Sequence, residues 1–291
     1  MSEPVRRKIK ELEVMVAEVI YETPDTRTLV FFTGNDPLEY KPGHFLTIAP
    51  QQFPALERWA SYLEHLKGKK EPPRAYSMSS CPQEKYLAIT VKEERYIPGM
   101  TPYPPLLSPI LALRTAQGTR MVITGFTGPY TMPDDMESKT DHVLHVCAGS
   151  GVVPSYSIIK DSLMSGRKLR HTLVYSNKSW EDTIFAKQLL DLQKQYPAQL
   201  RTVFCLTRES NAAMFNEHIR NGRVSKEILA SVVEDASHQY VFACGPSISI
   251  FEKKAAKEKG VEAPPRFLES VLQYLTELGF AQDRIKRESY G

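Results

Sequence analysis

The stretch HVCAGSGVVPSYSIIK, residues 145–160, constrains the fold more than any other part of the chain. An apolar run from His142 to Ala148 meets Gly149-Ser150-Gly151 and passes into a helical pattern from Ser155. The run reads as a buried strand. Glycines at the junction let the backbone approach a ligand where a β-carbon would intrude. The helix that follows aims its first free N–H groups at whatever lies beyond the turn. A dinucleotide fingerprint would place a third glycine where this chain has Pro154. Proline is tolerated in a first helical turn, because its missing N–H has no intrahelical partner there. Three readings stay open at this point: a degenerate dinucleotide loop, another nucleotide-binding design, and a plain turn before a helix.

The surroundings of the loop set its architecture. From residue 142 onward, apolar strand patterns alternate with helical ones through RHTLVYS, EDTIFAKQLLDLQKQY, RTVFCL, SKEILASVV and QYVFACG. The helix PRFLESVLQYLTELGF and the strand RIKRESY follow. That rhythm predicts a doubly wound α/β parallel sheet over 137–291. Before it, EVMVAEVIYE, TRTLVFF, HFLTIAP, RAYSMSS, YLAITVKEE and TRMVITGF give six strand patterns with little helix. They predict a small six-stranded antiparallel β-barrel over 1–136. The polar MPDDMESKTD, residues 132–141, reads as the linker.

Two segments interrupt the barrel pattern. Residues 52–70 read as a short helix with Leu56, Trp59, Tyr62, Leu63 and Leu66 near one face. Residues 97–109 are proline-rich and read as an irregular loop. Both serve either as decoration or as a docking surface or cofactor cover.

Composition narrows the function classes. The 291 residues carry 37 basic and 34 acidic side chains, a net charge of +3, so no nucleic-acid footprint is expected. The basic RRKIK at 6–10 is too short to change that reading. No apolar run reaches membrane-span length and no signal peptide begins the sequence. Cys81, Cys147, Cys205 and Cys244 have neither CxxC nor cluster-ligating spacing, so no metal is expected. Their strand settings predict buried thiols and a cytoplasmic location. The oligomeric state is not legible.

Two further motifs bear on ligands. FACGPS, residues 242–247, ends a later strand at the sheet edge where ligands bind. There Cys244, Gly245 and Pro246 present a small polarizable side chain and a bare turn to a flat ring. RAYS, Arg74 to Ser77, puts Arg74 and Tyr76 on one face of a strand, with Ser77 turned the other way. An arginine suits a pyrophosphate, and a tyrosine ring can lie on a flat ligand.

RAYS, GFTGPY, GSGVVP and CGP, in that order in a β then α/β chain, resemble the ferredoxin–NADP+ reductase superfamily. The final ESY resembles reductase components of bacterial oxygenases. The resemblance implies FAD held by Arg74 at its phosphate, by Ala75 and Tyr76 along the flavin, and by Ser77 near N5. Thr90 and Val91 would line the ring through their backbone. The family's Gly-x-x-Ser phosphate loop is interrupted by the proline-rich insert. Ser108 is retained as a helix N-cap and phosphate ligand, whereas Gly99 is not. Gly125, Gly128 and Tyr130 read as structural.

The same resemblance implies that Gly149, Ser150, Gly151 and Pro154 bind NADPH or NADH, which accounts for the proline. Cys244 would lie near the nicotinamide, with Gly245 and Pro246 beside it. Ser176, Lys178 and Arg208 are candidates for the adenosine end, with a lean to NADPH although Glu181 and Asp182 follow closely. Glu288 would assist transfer and Tyr290 would lie against the flavin, with Gly291 after it. Ser77, Cys244, Glu288 and Tyr290 form the implied catalytic set.

The implied activity is that of a flavoprotein of the ferredoxin–NAD(P)+ reductase type (EC 1.18.1.-). It converts two-electron transfer into single-electron transfer to a ferredoxin or other iron–sulfur protein. Flow in the opposite direction, a free-flavin or small-molecule reductase, and a non-catalytic nucleotide-binding subunit are the alternatives.

Overall fold

The computed structural model describes residues 11–34, 38–98, 101 and 103–290. The basic stretch 6–10, Gly99 and Gly291 lie outside the described residues. The chain divides into two compact units, Met1–Thr131 and Met132–Gly291.

The first unit contains β1 (Glu11–Thr23), β2 (Thr26–Phe32), β3 (Phe45–Ile48), α1 (Glu57–Lys67), β4 (Arg74–Ser77), β5 (Leu87–Lys92), α2 (Ser108–Leu113) and β6 (Arg120–Thr127). Its strands form one sheet in the order β4-β3-β6-β1-β2-β5, antiparallel at each pairing. Met78, just past β4, bridges to Ile89 of β5, so the two edge strands meet and the sheet closes. Alternation puts Val14, Val16, Leu29, Leu46, Ile48, Ile89 and Ile123 inside this barrel as one core. The β1–β2 turn is set by Asp25, whose carboxylate accepts from the Thr23 and Thr26 hydroxyls and from Lys92.

The insert at 52–70 does form a helix, but its buried stripe is narrower than the sequence pattern suggests. Leu56, Ala60 and Leu63 face the core at spacings of four and three residues. Tyr62 and Leu66 stay about half exposed. Gly68 ends the helix in the left-handed region, φ 64°, as glycine does most readily.

The second unit contains α3 (Met136–Lys139), β7 (His142–Ala148), α4 (Val152–Met164), β8 (Arg170–Asn177), α5 (Ala186–Gln195), β9 (Leu200–Leu206), β10 (Ile219–Asn221), α6 (Lys226–Ala230), β11 (Tyr240–Pro246), α7 (Ile250–Glu258), α8 (Phe267–Glu277) and β12 (Ile285–Tyr290). The strands run parallel in the order β10-β9-β8-β7-β11-β12. The chain winds outward from β7 to β10, then crosses to β11 on the other side of β7. The strand order therefore reverses between β7 and β11, the position where open α/β sheets bind ligands beyond their carboxyl ends.

Two elements differ from the sequence reading. The supposed linker 132–141 is partly folded into the second unit: Met132 and Met136 are buried, and α3 occupies its centre. Strand β10 escaped notice because IRN is three residues long and has no apolar run.

Candidate functional site

The loop singled out in the sequence lies at the strand reversal. Gly149–Gly151 form a single 3-10 turn after β7, and α4 starts at Val152, placing Pro154 in its first turn. Gly149 has φ +53°, and no described atom lies within 4 Å of the place its β-carbon would take. The loop thus leaves a hollow that a side chain would fill. Gly151 is needed for the opposite reason. A β-carbon there would stand 2.7 Å from the Cys244 carbonyl carbon and 2.9 Å from the Gly245 nitrogen. The glycine loop is seated directly on the backbone of CGP, so two motifs 93 residues apart become one surface.

Neighbouring side chains hold that surface. Tyr175 of β8 donates its hydroxyl to the Gly149 carbonyl at 3.0 Å. The Cys147 thiol donates to Ser155 Oγ at 3.3 Å, tying β7 to α4. Gly245 is packed from one side: a β-carbon there would lie 2.6 Å from the Phe267 ring. Sequence reasoning missed Tyr175, Ser155 and Phe267. Only the tyrosine carried a signal, as a polar group in an otherwise apolar strand.

Register brings three of the implied catalytic residues, Cys244, Glu288 and Tyr290, onto neighbouring strands of the second unit, whereas Ser77 belongs to the first. Cys147, Cys244 and Glu288 are aligned across β7, β11 and β12, and Pro246 is aligned with Tyr290. Burial pushes the Cys147 thiol up to about 12 and the Cys244 thiol well above its ordinary value. Both are therefore neutral thiols rather than nucleophiles. Burial also pushes the Glu288 carboxyl up to about 7, and its Oε2 is buried without a hydrogen-bond partner. A carboxyl in that setting can hold or release a proton near neutral pH.

The adenosine-end candidates gather at the ends of β8 and β9. The Arg208 N–H donates to the Lys178 carbonyl at 2.6 Å, and the Thr207 N–H donates to the Asn177 carbonyl at 3.0 Å. Ser176 is buried, while Lys178 and Arg208 are exposed. The nearby Glu209 carboxylate accepts from the backbone N–H groups of Trp180, Ser210 and Asn211. These bonds lower its pKa. Asn177, 7% exposed, has its Nδ2 buried without a partner. Sequence reasoning overlooked this amide.

The barrel candidates form a second group within the first unit. Arg74 Nη2 donates to Glu71 Oε2 at 2.6 Å, and Nη1 donates to the Pro72 carbonyl at 2.8 Å. Burial alone would raise the Glu71 carboxyl, but hydrogen bonds and charges from Lys67 and Arg74 hold it below its ordinary value. Tyr76 follows on the same face; burial and the charge of Glu94 raise its hydroxyl pKa, while Arg74 opposes the rise. Ala75 is exposed and Ser77 is buried. The Thr90 hydroxyl turns to Thr28 at 2.7 Å, and Val91 lies in the core.

Ser108 corrects the expectation of a cap. It is the first helical residue of α2, after Leu107, and its Oγ accepts from the Glu94 N–H at 3.2 Å. That bond fastens α2 to the chain leaving β5, next to Tyr76 and Arg74.

Comparison with known proteins bears on the family and the fold. Residues 145–254 match the model of the oxidoreductase NAD-binding domain. The ferredoxin reductase component of 3-ketosteroid-9-alpha-monooxygenase from Mycolicibacterium smegmatis is 34% identical over 202 residues, covering 67% of this chain and 50% of that protein. The component of the same name from Mycobacterium tuberculosis (strain H37Rv) is 31% identical over 245 residues, 81% of this chain and 58% of that protein. The chain thus spans little more than half the length of these relatives. A ferredoxin NADP+ reductase from Neisseria gonorrhoeae, solved with bound FAD and NADP, shares the fold. Its TM-score is 0.67 at 19% identity, covering 97% of this chain and 99% of that one. Closed antiparallel barrel, doubly wound parallel sheet, glycine–proline loop and sequence relatives agree: the chain belongs to the ferredoxin–NADP+ reductase superfamily.

Proposed function

We propose that this protein is an FAD-dependent NAD(P)H oxidoreductase that hands electrons one at a time to an iron–sulfur protein. The ferredoxin reductase components among its relatives support the acceptor class. The gonococcal reductase, with FAD and NADP bound, supports the cofactor pair. The observation that carries the reading is the seating of Gly151 on Cys244 and Gly245 at the strand reversal, with the open hollow at Gly149 beside it. A bound flavin supplies the conversion from two-electron to one-electron transfer.

This chain's residues supply position and charge. Gly149, Ser150, Gly151 and the first turn of α4, with Pro154, receive the dinucleotide pyrophosphate through backbone N–H groups. Cys244, Gly245 and Pro246 give a neutral, narrow wall for the nicotinamide. Glu288, unpaired at Oε2, carries the charge that favours the oxidised, cationic nicotinamide once its proton is lost. Tyr290 follows it on the same strand. In the barrel, Arg74 meets the flavin phosphate with donors that Glu71 leaves free, Ala75, Tyr76 and Ser77 follow the flavin, the Thr90 and Val91 backbone lines it, and Ser108 supports the phosphate side from α2.

NADPH is the preferred donor in this reading. Lys178 and Arg208 are held side by side, Glu209 is already committed to three backbone donors, and the unpaired Asn177 amide offers a further bond to a 2′-phosphate. Steady-state reduction of an iron–sulfur acceptor with NADPH and with NADH tests this. The reading expects a lower KM for NADPH, and Arg208→Ala should erase that difference without slowing NADH turnover.

A further inference from the structure

The insert helix α1 presents two faces of different chemistry. Leu56, Ala60 and Leu63 pack on the barrel. On the same side, Lys67 turns inward to Glu71 at 2.5 Å and lies over the Tyr103 ring at 5.1 Å. Glu64 is likewise committed, accepting from Gln51 and from the Glu71 N–H. Lys67 is thereby committed to an ion pair, unlike the exposed Lys69 and Lys70 that follow it.

The outward face is what remains. Arg58, Tyr62, His65 and Leu66 recur at helical spacing, and all four are exposed. Trp59, partly buried, stacks on Tyr62 with ring centroids 5.4 Å apart. Lys69 and Lys70 follow directly past the Gly68 cap and are exposed. An aromatic and aliphatic centre is thus edged by cations, while the helix's Glu64 is engaged elsewhere. Two aromatics and a leucine beside an arginine make the composition of a protein-binding hot spot. Glu57 at the helix start is exposed as well, but Arg58, Lys69 and Lys70 outnumber it, and this cationic excess selects an acidic partner.

We propose that this face of α1 is the docking surface for an acidic redox protein, the iron–sulfur acceptor of the proposed reaction. The inference rests on that reading for the identity of the acceptor. Cations steer the partner at long range, and Trp59, Tyr62 and Leu66 supply the short-range contact after encounter. Association therefore weakens with salt, while the apolar contact governs dissociation.

An acidic plant-type [2Fe–2S] ferredoxin is the probe, tested on the full chain. Binding is measured by calorimetry at low and at physiological ionic strength for the wild type, for a charge variant (Arg58→Glu, Lys69→Glu, Lys70→Glu) and for an apolar variant (Tyr62→Ser, Leu66→Ser). Ferricyanide reduction and flavin content serve as controls, since all five side chains are exposed. The proposal expects affinity to fall about tenfold or more in each variant, with the charge variant also losing salt dependence and both controls unchanged. Wild-type affinity in both variants overturns it, as does failure of the wild type to bind the ferredoxin at all. Co-sedimentation with phosphatidylserine vesicles that is lost in the variants would make the face a membrane contact and overturn it as well. If the wild type reduces ferredoxin and the variants do so equally, only the docking assignment fails. If the protein binds no flavin, the functional reading itself fails.

Discussion

Gly151 and Cys244 touch through their backbones: a β-carbon on the glycine would stand 2.7 Å from the cysteine's carbonyl carbon. Gly149, two residues earlier, faces open space at φ +53°. The two glycines of one loop therefore do different work. Gly151→Ala is expected to push α4 off β11 and cost about 1–3 kcal/mol of stability, as overpacking does. Gly149→Ala should cost about 1 kcal/mol for the left-handed backbone, yet weaken NADPH binding more, because its methyl enters the hollow. Urea unfolding and nucleotide affinity measured on both variants check the contrast. Equal effects on both readouts would show that the hollow is not a binding cradle.

Glu288 should govern a pH dependence. Its pKa, raised from 4.5 to about 7 by burial, leaves it protonated below that value and charged above it. The rate of flavin reduction by NADPH is expected to rise with pH through about 7, because the carboxylate favours a cationic nicotinamide. In Glu288→Gln the rate should stay flat at the low-pH level, with nucleotide affinity nearly unchanged. The same shift has a stability consequence of opposite usefulness. The folded state holds the proton more tightly than the unfolded one, so stability falls as pH rises from 4.5 to about 7. Relief of this burial should make Glu288→Gln more stable at pH 8 by up to roughly 3 kcal/mol. Stopped-flow rates and unfolding midpoints across pH measure both effects.

Arg74 is held before any flavin contact by Glu71, which also binds Lys67 and so links β4 to α1. Arg74→Ala should lose flavin on gel filtration and lower its affinity about 10- to 100-fold, the loss of one charge-assisted contact of roughly 1.5–3 kcal/mol. Glu71→Gln should also lower flavin affinity, by less, since the guanidinium keeps its bond to the Pro72 carbonyl. Full flavin retention in Arg74→Ala would remove the arginine from the binding set.

Beneath the nucleotide edge lies a pair of neutral histidines. His145 Nε2 meets His171 Nδ1 at 3.1 Å, and His171 Nε2 meets Ser162 Oγ at 2.8 Å. Burial pushes the His171 ring down to about 3 and His145 well below its ordinary value. Both gain protons more readily when unfolded, so stability is complete above about pH 6.5 and is lost progressively toward pH 3. The urea midpoint of the second unit should fall over that range, and His171→Gln should flatten the decline. A midpoint independent of pH between 6.5 and 4 would contradict the assignment of neutral rings.

Much of this was legible from residue order. The apolar runs at His142–Ala148 and Tyr240–Pro246, and the glycines between strand and helix, carry the parallel sheet because its strands are buried on both faces. The barrel strands were legible from alternation. What escaped the sequence depends on local conformation, strand register and burial. Lys67 looks like its exposed neighbours until Glu71 turns it inward, and Ser108 looks like a cap until Leu107 takes that place. The partner Tyr175 finds in the Gly149 carbonyl, 26 residues away, follows from register alone. The unpaired Asn177 amide and Glu288 oxygen are visible only once burial is known.

The proposed reaction couples a nicotinamide donor to a one-electron acceptor through a flavin. Anaerobic titration of the purified protein with NADPH, followed by oxidised [2Fe–2S] ferredoxin, tests it most directly. The expected result is a yellow protein whose visible flavin absorbance is bleached by about one equivalent of NADPH and restored by about two equivalents of ferredoxin, since each ferredoxin takes one of the two electrons. A protein that is colourless and takes up no FAD, or whose flavin absorbance neither NADPH nor NADH changes, would contradict it.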